Sequence, residues 1–347
     1  MKILFVCDAE KTSNPFVHTL IEELTKQGVE AIMSCQHLWN EDDFDIIHFQ
    51  WPEAVFTWAK QISVSNTEKL CHRLSYLKRR GVKIAITCHN LKPHTITDKG
   101  VTNLYGIIYS LSDLFIHLGS YSYSILSKEY PKTQHLIIPH HIYDSIYNFK
   151  IHKDESRNKL KLPINKIIIL CFGEFRTDEE RELIIQLKEK LKNKNILFLV
   201  PGFYRKHWYS RNIKTMLSRI KHIIHYKLQG IKFSTRFIDN PTTEMYFSSA
   251  DIVMIQRFSI LNSGNLPMGF HAGKVVIGTT DGNVGSILKE TGNPTFNPKD
   301  IDSVLEAISQ AIILNNNNKG LSNKNYALKN WNTSIVVKQL ISAYKAL

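Results

Sequence analysis

Residues 251–278 read D-I-V-M-I-Q-R-F-S-I-L-N-S-G-N-L-P-M-G-F-H-A-G-K-V-V-I-G. An apolar run ends at Gln256-Arg257, and a second, Val275-Val276-Ile277, follows some twenty residues on. Ser263-Gly264-Asn265 lies between them, followed by a short apolar stretch that Gly273 closes. The near-continuous hydrophobicity of Ile252–Ile255, repeated in Ile167–Leu170, fits strands covered on both faces, which is the habit of parallel sheets.

The same alternation runs outward in both directions. In the first half, strands are expected at Ile3–Cys7, Glu30–Cys35, Asp45–Trp51, Lys83–His89, Leu114–Leu118 and His135–Pro139. In the second half they are expected at Lys166–Phe172, Ile196–Val200, Phe233–Ile238, Asp251–Gln256 and Val275–Gly278. Amphipathic stretches separate them. The first begins with Asn14 as a cap and Pro15 in the first turn, shows Phe16, Leu20, Ile21 and Leu24 on one face, and stops at Gly28. Another begins at Asn240-Pro241. Strands alternating with helices imply right-handed crossovers and parallel sheets, hence an α/β fold of two Rossmann-like domains facing a cleft. The polar stretch 148–165 reads as a hinge, placing an N-terminal domain at 1–155 and a C-terminal one at 156–334. The Asn-rich tract 315–319 reads as a loop, and the last segment carries Ile335, Val336, Leu340, Ile341 and Tyr344 on one helical face.

Bulk properties narrow the class. The 347 residues suffice for two domains, and 43% hydrophobic with 22% charged residues is ordinary for a globular protein. No apolar run reaches transmembrane length, and the N-terminus lacks the long apolar core of a signal peptide. Five scattered cysteines without a C-x-x-C suit reduced thiols, so a cytoplasmic location is expected. The net charge of +13 concentrates in 204–236, which has nine Lys and Arg and no Asp or Glu around an apolar stripe of helical spacing. That segment is either a solvated helix face or a surface drawn to anionic membrane. No nucleic-acid-binding motif is present, and nucleic acid is not an expected partner.

Ligands of such sheets lie beyond the carboxyl ends of the strands. The residues there are polar, small or cationic: Trp51 and Glu53; His89 and His94; His140 and His141; Glu174 and Arg176; Arg257 with Ser263-Gly264-Asn265; and Gly282-Asn283-Val284-Gly285. Ser263-Gly264-Asn265 at a helix start would offer amide N–H groups to an anion, with Arg176 and Arg257 neutralising it. A diphosphate fits. The competing reading is a capped helix with solvated arginines.

In order along nearly the whole chain stand D-I-I-H-F-Q-W-P-E (45–53), I-T-C-H-N-L-K-P-H (86–94), L-F-I-H-L-G-S (114–120), I-I-P-H (137–140), F-G-E-F-R (172–176), R-F-I-D (236–239) and I-L-N-S-G-N-L (260–266). The set resembles the GT-B-fold glycosyltransferases of the group 1 type, and within them a bacterial polysaccharide-biosynthesis subset. The resemblance implies a nucleotide-diphosphate-sugar donor, UDP- or GDP-linked, held by the C-terminal domain at Arg176, Arg257, Ser263, Gly264 and Asn265. Gly282, Asn283, Val284 and Gly285 would form a mobile loop adding backbone donors. It implies an acceptor held by the N-terminal domain, a glycan or lipid-linked glycan, with His89, Glu53 and His94 as catalytic candidates and Trp51, His18 and Asn14 on the acceptor side. It also implies that 335–347 crosses back onto the first domain, and that the enzyme works without cofactor or metal at the inner membrane face. His89 and His94 are separated by Pro93 and do not have helical ligand spacing, and no H-E-x-x-H, P-loop or G-x-G-x-x-G is present.

The chain departs from this family in two places. Glu179 stands where the family has lysine three residues after Arg176, and Ile260 and Met268 stand near the places of two glutamates. The alternatives are a non-catalytic GT-B scaffold binding glycan or a partner enzyme, and a sugar-nucleotide epimerase, whose carboxylate cluster the strand ends lack.

Overall fold

The computed structural model describes residues 1–8, 14–59, 61–92, 99–192, 194–203, 220, 224, 226, 231–234 and 238–347. His94 and most of the basic segment 204–236 lie outside the described residues. The chain forms two units, Met1–Ser145 with Asn330–Leu347, and Ile146–Lys329.

Unit 1 is a six-stranded sheet in the order β2-β1-β3-β4-β5-β6. Its strands are β1 (Lys2–Val6), β2 (Glu30–Met33), β3 (Ile46–Phe49), β4 (Lys83–Thr87), β5 (Leu114–His117) and β6 (Gln134–Ile137). Every neighbouring pair is parallel. Ile3, Leu4, Phe5 and Val6 have no exposure, because helices cover both faces of the sheet. Helix α1 (Pro15–Lys26) starts as its sequence dictates: Asn14 Oδ1 accepts the Phe16 N–H at 3.1 Å. The other helices of the unit are α2 (His37–Asn40), α3 (Val64–Arg79), α4 (Lys99–Leu111) and α5 (Ser120–Glu129).

Unit 2 is a five-stranded sheet in the order β11-β10-β9-β7-β8, also parallel. Its strands are β7 (Ile167–Leu170), β8 (Ile196–Leu199), β9 (Ile252–Met254), β10 (Val275–Thr279) and β11 (Thr295–Phe296). Its helices are α6 (Lys153–Lys159), α7 (Asp178–Lys190), α8 (Asn240–Ser249), α9 (Asn265–His271), α10 (Gly282–Glu290), α11 (Ile301–Asn316) and α12 (Lys319–Asn330), the last ending at the unit boundary. The final helix, α13 (Thr333–Lys345), belongs to unit 1, where it packs on α1 and buries Val336, Val337, Leu340, Ala343 and Tyr344.

Three local readings change. The stretch 148–165 contains α6, and the division falls near Ser145, ahead of it. Of the tract 315–319, residues 315 and 316 finish α11, and the turn is confined to Asn317 and Asn318, the latter at φ 59°. Of the strand expected at 233–238, the described residues 233, 234 and 238 are not in a strand and 235–237 lie outside the described set; a parallel bridge joins Leu199 to Lys232, just ahead of it.

Helix α6 is tied to the amino ends of the unit 2 strands by a buried cation. Arg157, 1% exposed, donates to the carbonyls of Ser249, Ile164 and Lys166 and to Asp251 Oδ2 at 2.6 Å. The same Asp251 oxygen accepts the Ile168 N–H at 2.7 Å. A charge this deep is tolerated because nearly all of its donors are used. Asp251→Asn leaves that guanidinium uncompensated, and urea unfolding should show a loss of about 3–5 kcal/mol.

Candidate functional site

In unit 1 the carboxyl ends of β1, β3, β4 and β6 converge on one aromatic cluster. Phe16, in the first turn of α1, meets His89 edge-on at 4.9 Å and lies 4.7 Å from His140 and 4.8 Å from His141. Trp51, just beyond β3, stacks on His89 at 4.5 Å and 20°. Asn14 Oδ1 also lies 3.5 Å from the Tyr143 hydroxyl, so the α1 entry is stitched to the chain leaving β6. His18 is half-buried on α1.

Glu53 sits in the 3₁₀ turn Pro52–Phe56, 6% exposed, with both carboxylate oxygens facing the Tyr105 hydroxyl at 2.9 and 3.1 Å. Burial raises its pKa above the usual carboxylate range. The next two residues, Thr57 and Trp58, hold left-handed backbone at φ 52° and 62°, a strained state for bulky side chains. Trp58 is 43% exposed and lies 6.0 Å from Trp51, an aromatic neighbour that the sequence reading passed over.

Five histidines of this unit, His48, His89, His117, His140 and His141, are held neutral. Burial, then the neighbouring rings of His140, His48 and His141, push the His89 pKa well below its ordinary value. Burial lowers His48 and His117 to about 3 and His140 to about 4. His141, which faces Thr19 Oγ1 at 3.0 Å and the Phe16 carbonyl at 3.1 Å, is also pushed well below by burial.

Unit 2 builds its carboxyl edge by interlocking loops. β7 exits into Phe172-Gly173-Glu174-Phe175-Arg176-Thr177. Asn265 Nδ2 donates to the Phe172 carbonyl at 2.7 Å, and Arg181 Nη2 to the Phe175 carbonyl at 2.9 Å. Gly202, beyond β8, comes so close that a Cβ there would stand 2.0 Å from the Gly173 oxygen.

Arg257 does not stand ready for an anion. Its Nη1 meets both oxygens of Glu180 at 2.8 and 2.7 Å, and Nη2 donates to the Glu174 carbonyl at 2.5 Å. Glu180 Oε2 also accepts the Arg176 N–H at 2.7 Å. Glu180 is thus the knot between the β7 and β9 exits, and the sequence reading missed it. A signal existed: Thr177-Asp178-Glu179-Glu180 is a capping box, with Thr177 Oγ1 accepting the Glu180 N–H at 3.3 Å. Such a glutamate ordinarily reaches back to its own helix start, and here it also captures the arginine. Glu179, the residue that stood in for lysine, is exposed, and its carboxyl is lowered by the Thr177 hydroxyl. Arg176 is exposed.

The tripeptide 263–265 does open α9, with Gly264 as its cap. Its first amides are already engaged: Asn265 N–H bonds Ser263 Oγ at 3.3 Å and Leu266 N–H bonds the Ser263 carbonyl at 3.1 Å. Gly282-Asn283-Val284-Gly285 is not a mobile loop. These residues are buried and form the first turn of α10. Val284 N–H donates to the Leu261 carbonyl at 3.2 Å and Gly285 N–H to the Asp281 carbonyl at 3.0 Å, so both are unavailable as donors. Gly282 is required at φ 68°, where a Cβ would stand 2.1 Å from the Ile260 oxygen. Gln256, just ahead of Arg257, is 1% exposed, and neither of its amide atoms has a hydrogen-bond partner among the described residues. Among the described residues there is no group of three or more His, Cys, Asp or Glu able to hold a metal ion, and no helix long and apolar enough to cross a membrane.

No family model matches this chain, and no curated protein matches it. Solved structures do. Anabaena HepE in complex with UDP superposes with a TM-score of 0.73 at 11% identity, over 100% of each chain. The sucrose-phosphate synthase of Thermosynechococcus elongatus gives 0.71 at 13% identity, over 100% of this chain and 99% of that one. A glycosyltransferase from Rickettsia africae gives 0.67 at 15% identity, over 99% and 98%. The chain therefore has the GT-B fold over its full described length, as its motif order led one to expect.

The neutral histidines carry a pH consequence. Below the unfolded-state pKa of about 6.5, the unfolded chain binds protons that folded unit 1 refuses, so stability falls as the pH drops through that value. The loss continues toward the folded values, about 3 for His48 and His117. Each fully buried histidine subtracts roughly 1.4 kcal/mol per pH unit in that window. Urea unfolding near pH 7 and near pH 5 should show the deficit, and His117→Gln should reduce it.

Proposed function

We propose that this chain is a metal-independent glycosyltransferase of the hexosyl-transferring type. It takes a sugar from a UDP- or GDP-linked donor to a glycan or lipid-linked glycan in capsule or exopolysaccharide synthesis at the inner membrane face. The observation that carries the reading is the full-length likeness to GT-B proteins, one of them, HepE, solved with UDP, with UDP-glucose and with UDP and glucose.

Residues of unit 2 fit a donor. The chain leaving β9 holds Gln256, whose buried amide has no hydrogen-bond partner among the described residues and has the donor and acceptor set that polar ligand atoms satisfy. Arg176 is the exposed cation of the F-G-E-F-R stretch and the guanidinium assigned to the leaving diphosphate. The Glu180–Arg257 pair is nearly neutral, so its task is to hold the β7 and β9 exits at fixed spacing. In unit 1, His89 in its neutral form is suited to hydrogen-bond the transferred sugar, and Trp51 offers an apolar face to a sugar ring. His94, the other candidate, lies outside the described residues. Glu53, occupied by Tyr105, supports the 3₁₀ turn beneath Trp51. Membrane contact through 204–236 rests on that segment's charge.

One observation favours the scaffold alternative: Arg257, a principal cation of the expected site, is already paired with Glu180. Calorimetry with UDP and GDP separates the two. Binding at millimolar concentration or tighter supports the transferase, and no heat at that level supports the scaffold. Arg176→Ala should lower release of nucleotide from a UDP- or GDP-sugar panel by roughly a hundredfold. Full activity in that variant removes Arg176 from the mechanism.

A further inference from the structure

The chain leaving β3 ends its 3₁₀ turn on an exposed indole. Trp58 is 43% exposed, and its backbone stands at φ 62° directly after Thr57 at 52°. Two successive residues with bulky side chains in the left-handed region are a costly arrangement, which the surrounding fold must impose.

The turn is built to impose it. Both Glu53 oxygens face the Tyr105 hydroxyl, Cys35 Sγ donates to the Ala54 carbonyl at 3.1 Å, and Phe56 packs on Trp39 at 6.0 Å. The amides of Thr57, Trp58 and Ala59 donate back to the carbonyls of Ala54, Glu53 and Phe56 at 2.9, 3.0 and 3.1 Å. The strained pair is pinned at every amide, and what it delivers to the surface is one large ring.

That ring continues a row. Half-buried Trp51 stacks on His89 at 4.5 Å and 20°, and Trp58 lies 6.0 Å from Trp51 at 45°, tilted rather than stacked. A pyranose carries hydroxyls round its rim and C–H groups on its faces. An indole covers such a face with apolar area and keeps its Nε1–H to donate to a hydroxyl. The indoles and the neutral His89 bring no charge to meet a phosphate or carboxylate. An exposed tryptophan can also enter a bilayer interface, where it works as part of a broad apolar face. The ring beside Trp58 is instead a half-buried indole stacked on a neutral imidazole.

We propose that Trp58 is a sugar-binding platform on the acceptor side, and that the acceptor is an uncharged glycan of at least two sugar units, one against Trp51 and the next against Trp58. The order of those units rests on the proposed role of His89 and Trp51 in transfer. The platform is a binding site in its own right and stands without catalysis. A monosaccharide, phosphorylated or not, reaches only one of the two indoles.

An array of neutral oligosaccharides of increasing length, with free hexoses and hexose phosphates beside them, reads the site directly. The parent chain should bind members of the oligosaccharide set about tenfold or more tightly than the corresponding hexose or hexose phosphate, Trp58→Asn should remove about that factor, and Trp58→Tyr should restore most of it. Asparagine accepts left-handed backbone, so the urea midpoint of Trp58→Asn should equal or exceed that of the parent. The proposal is overturned by a parent chain that binds no oligosaccharide, by equal binding in Trp58→Asn, or by a hexose phosphate bound as tightly as the longer glycans. A lower urea midpoint in Trp58→Asn overturns it too, making the ring a packing element. Loss of binding to vesicles of anionic phospholipid in that variant does the same, making the ring a membrane anchor.

Calorimetry with UDP and GDP keeps this proposal apart from the glycosyltransferase reading, and Trp58→Asn should bind nucleotide as the parent does. Glycan binding without nucleotide binding removes the transferase and leaves the platform on a scaffold. Nucleotide binding without glycan binding removes the platform alone.

Discussion

A parallel strand covered on both faces has no place along its length for an unsatisfied polar group, and both sheets here are parallel throughout. The polar chemistry is therefore pushed to the strand ends or into networks in which each buried group finds a partner. His48 shows the second solution: it lies within β3 without exposure, and Tyr344 and Thr87 meet its two ring nitrogens. Asp251 shows the first, at the amino end of β9, where Arg157, Lys153 and the Ile168 amide converge on its carboxylate.

The two carboxyl edges solve different problems. Unit 1 gathers neutral rings, with Phe16, Trp51, His89, His140 and His141 packed so closely that burial suppresses the imidazolium forms. Unit 2 gathers glycines and a buried ion pair. Glycine at 202 and 282 lets backbone strands touch where any Cβ would collide, and Glu180 ties Arg257 to the Arg176 amide. The product is a rigid rim rather than a set of free loops, and rigidity is what a site must supply if it is to hold a leaving group in place.

Much of the architecture was legible in the chain. Among the described residues, the apolar runs placed ten of the eleven strands to within a few residues, because a doubly covered strand cannot hide its hydrophobicity. Only β11, two residues long, escaped, being too short to carry a pattern. Asn14 was legible as a cap because an N-cap is a local matter of one side chain and one amide. The start of the helix at 282–290 was expected as a loop from the family resemblance, whereas here Gly282 presses against Ile260 and Leu261, and Gly285 against Thr280.

The sequence by itself determined the fold class, the positions of the strands and the clustering of Trp51, His89, Arg176, Arg257 and 263–265 at strand ends, since each follows from the order of residue types along the chain. The tertiary structure alone decided the state of those residues: that Arg257 is neutralised by Glu180, that Glu53 is covered by Tyr105, that 282–285 is a helix turn, and that Tyr344 reaches His48. The reason is range. Periodicity and capping act between residues a few positions apart, while pairs such as Arg257–Glu180 and Tyr344–His48 are 77 and 296 positions apart and meet only when the chain has folded.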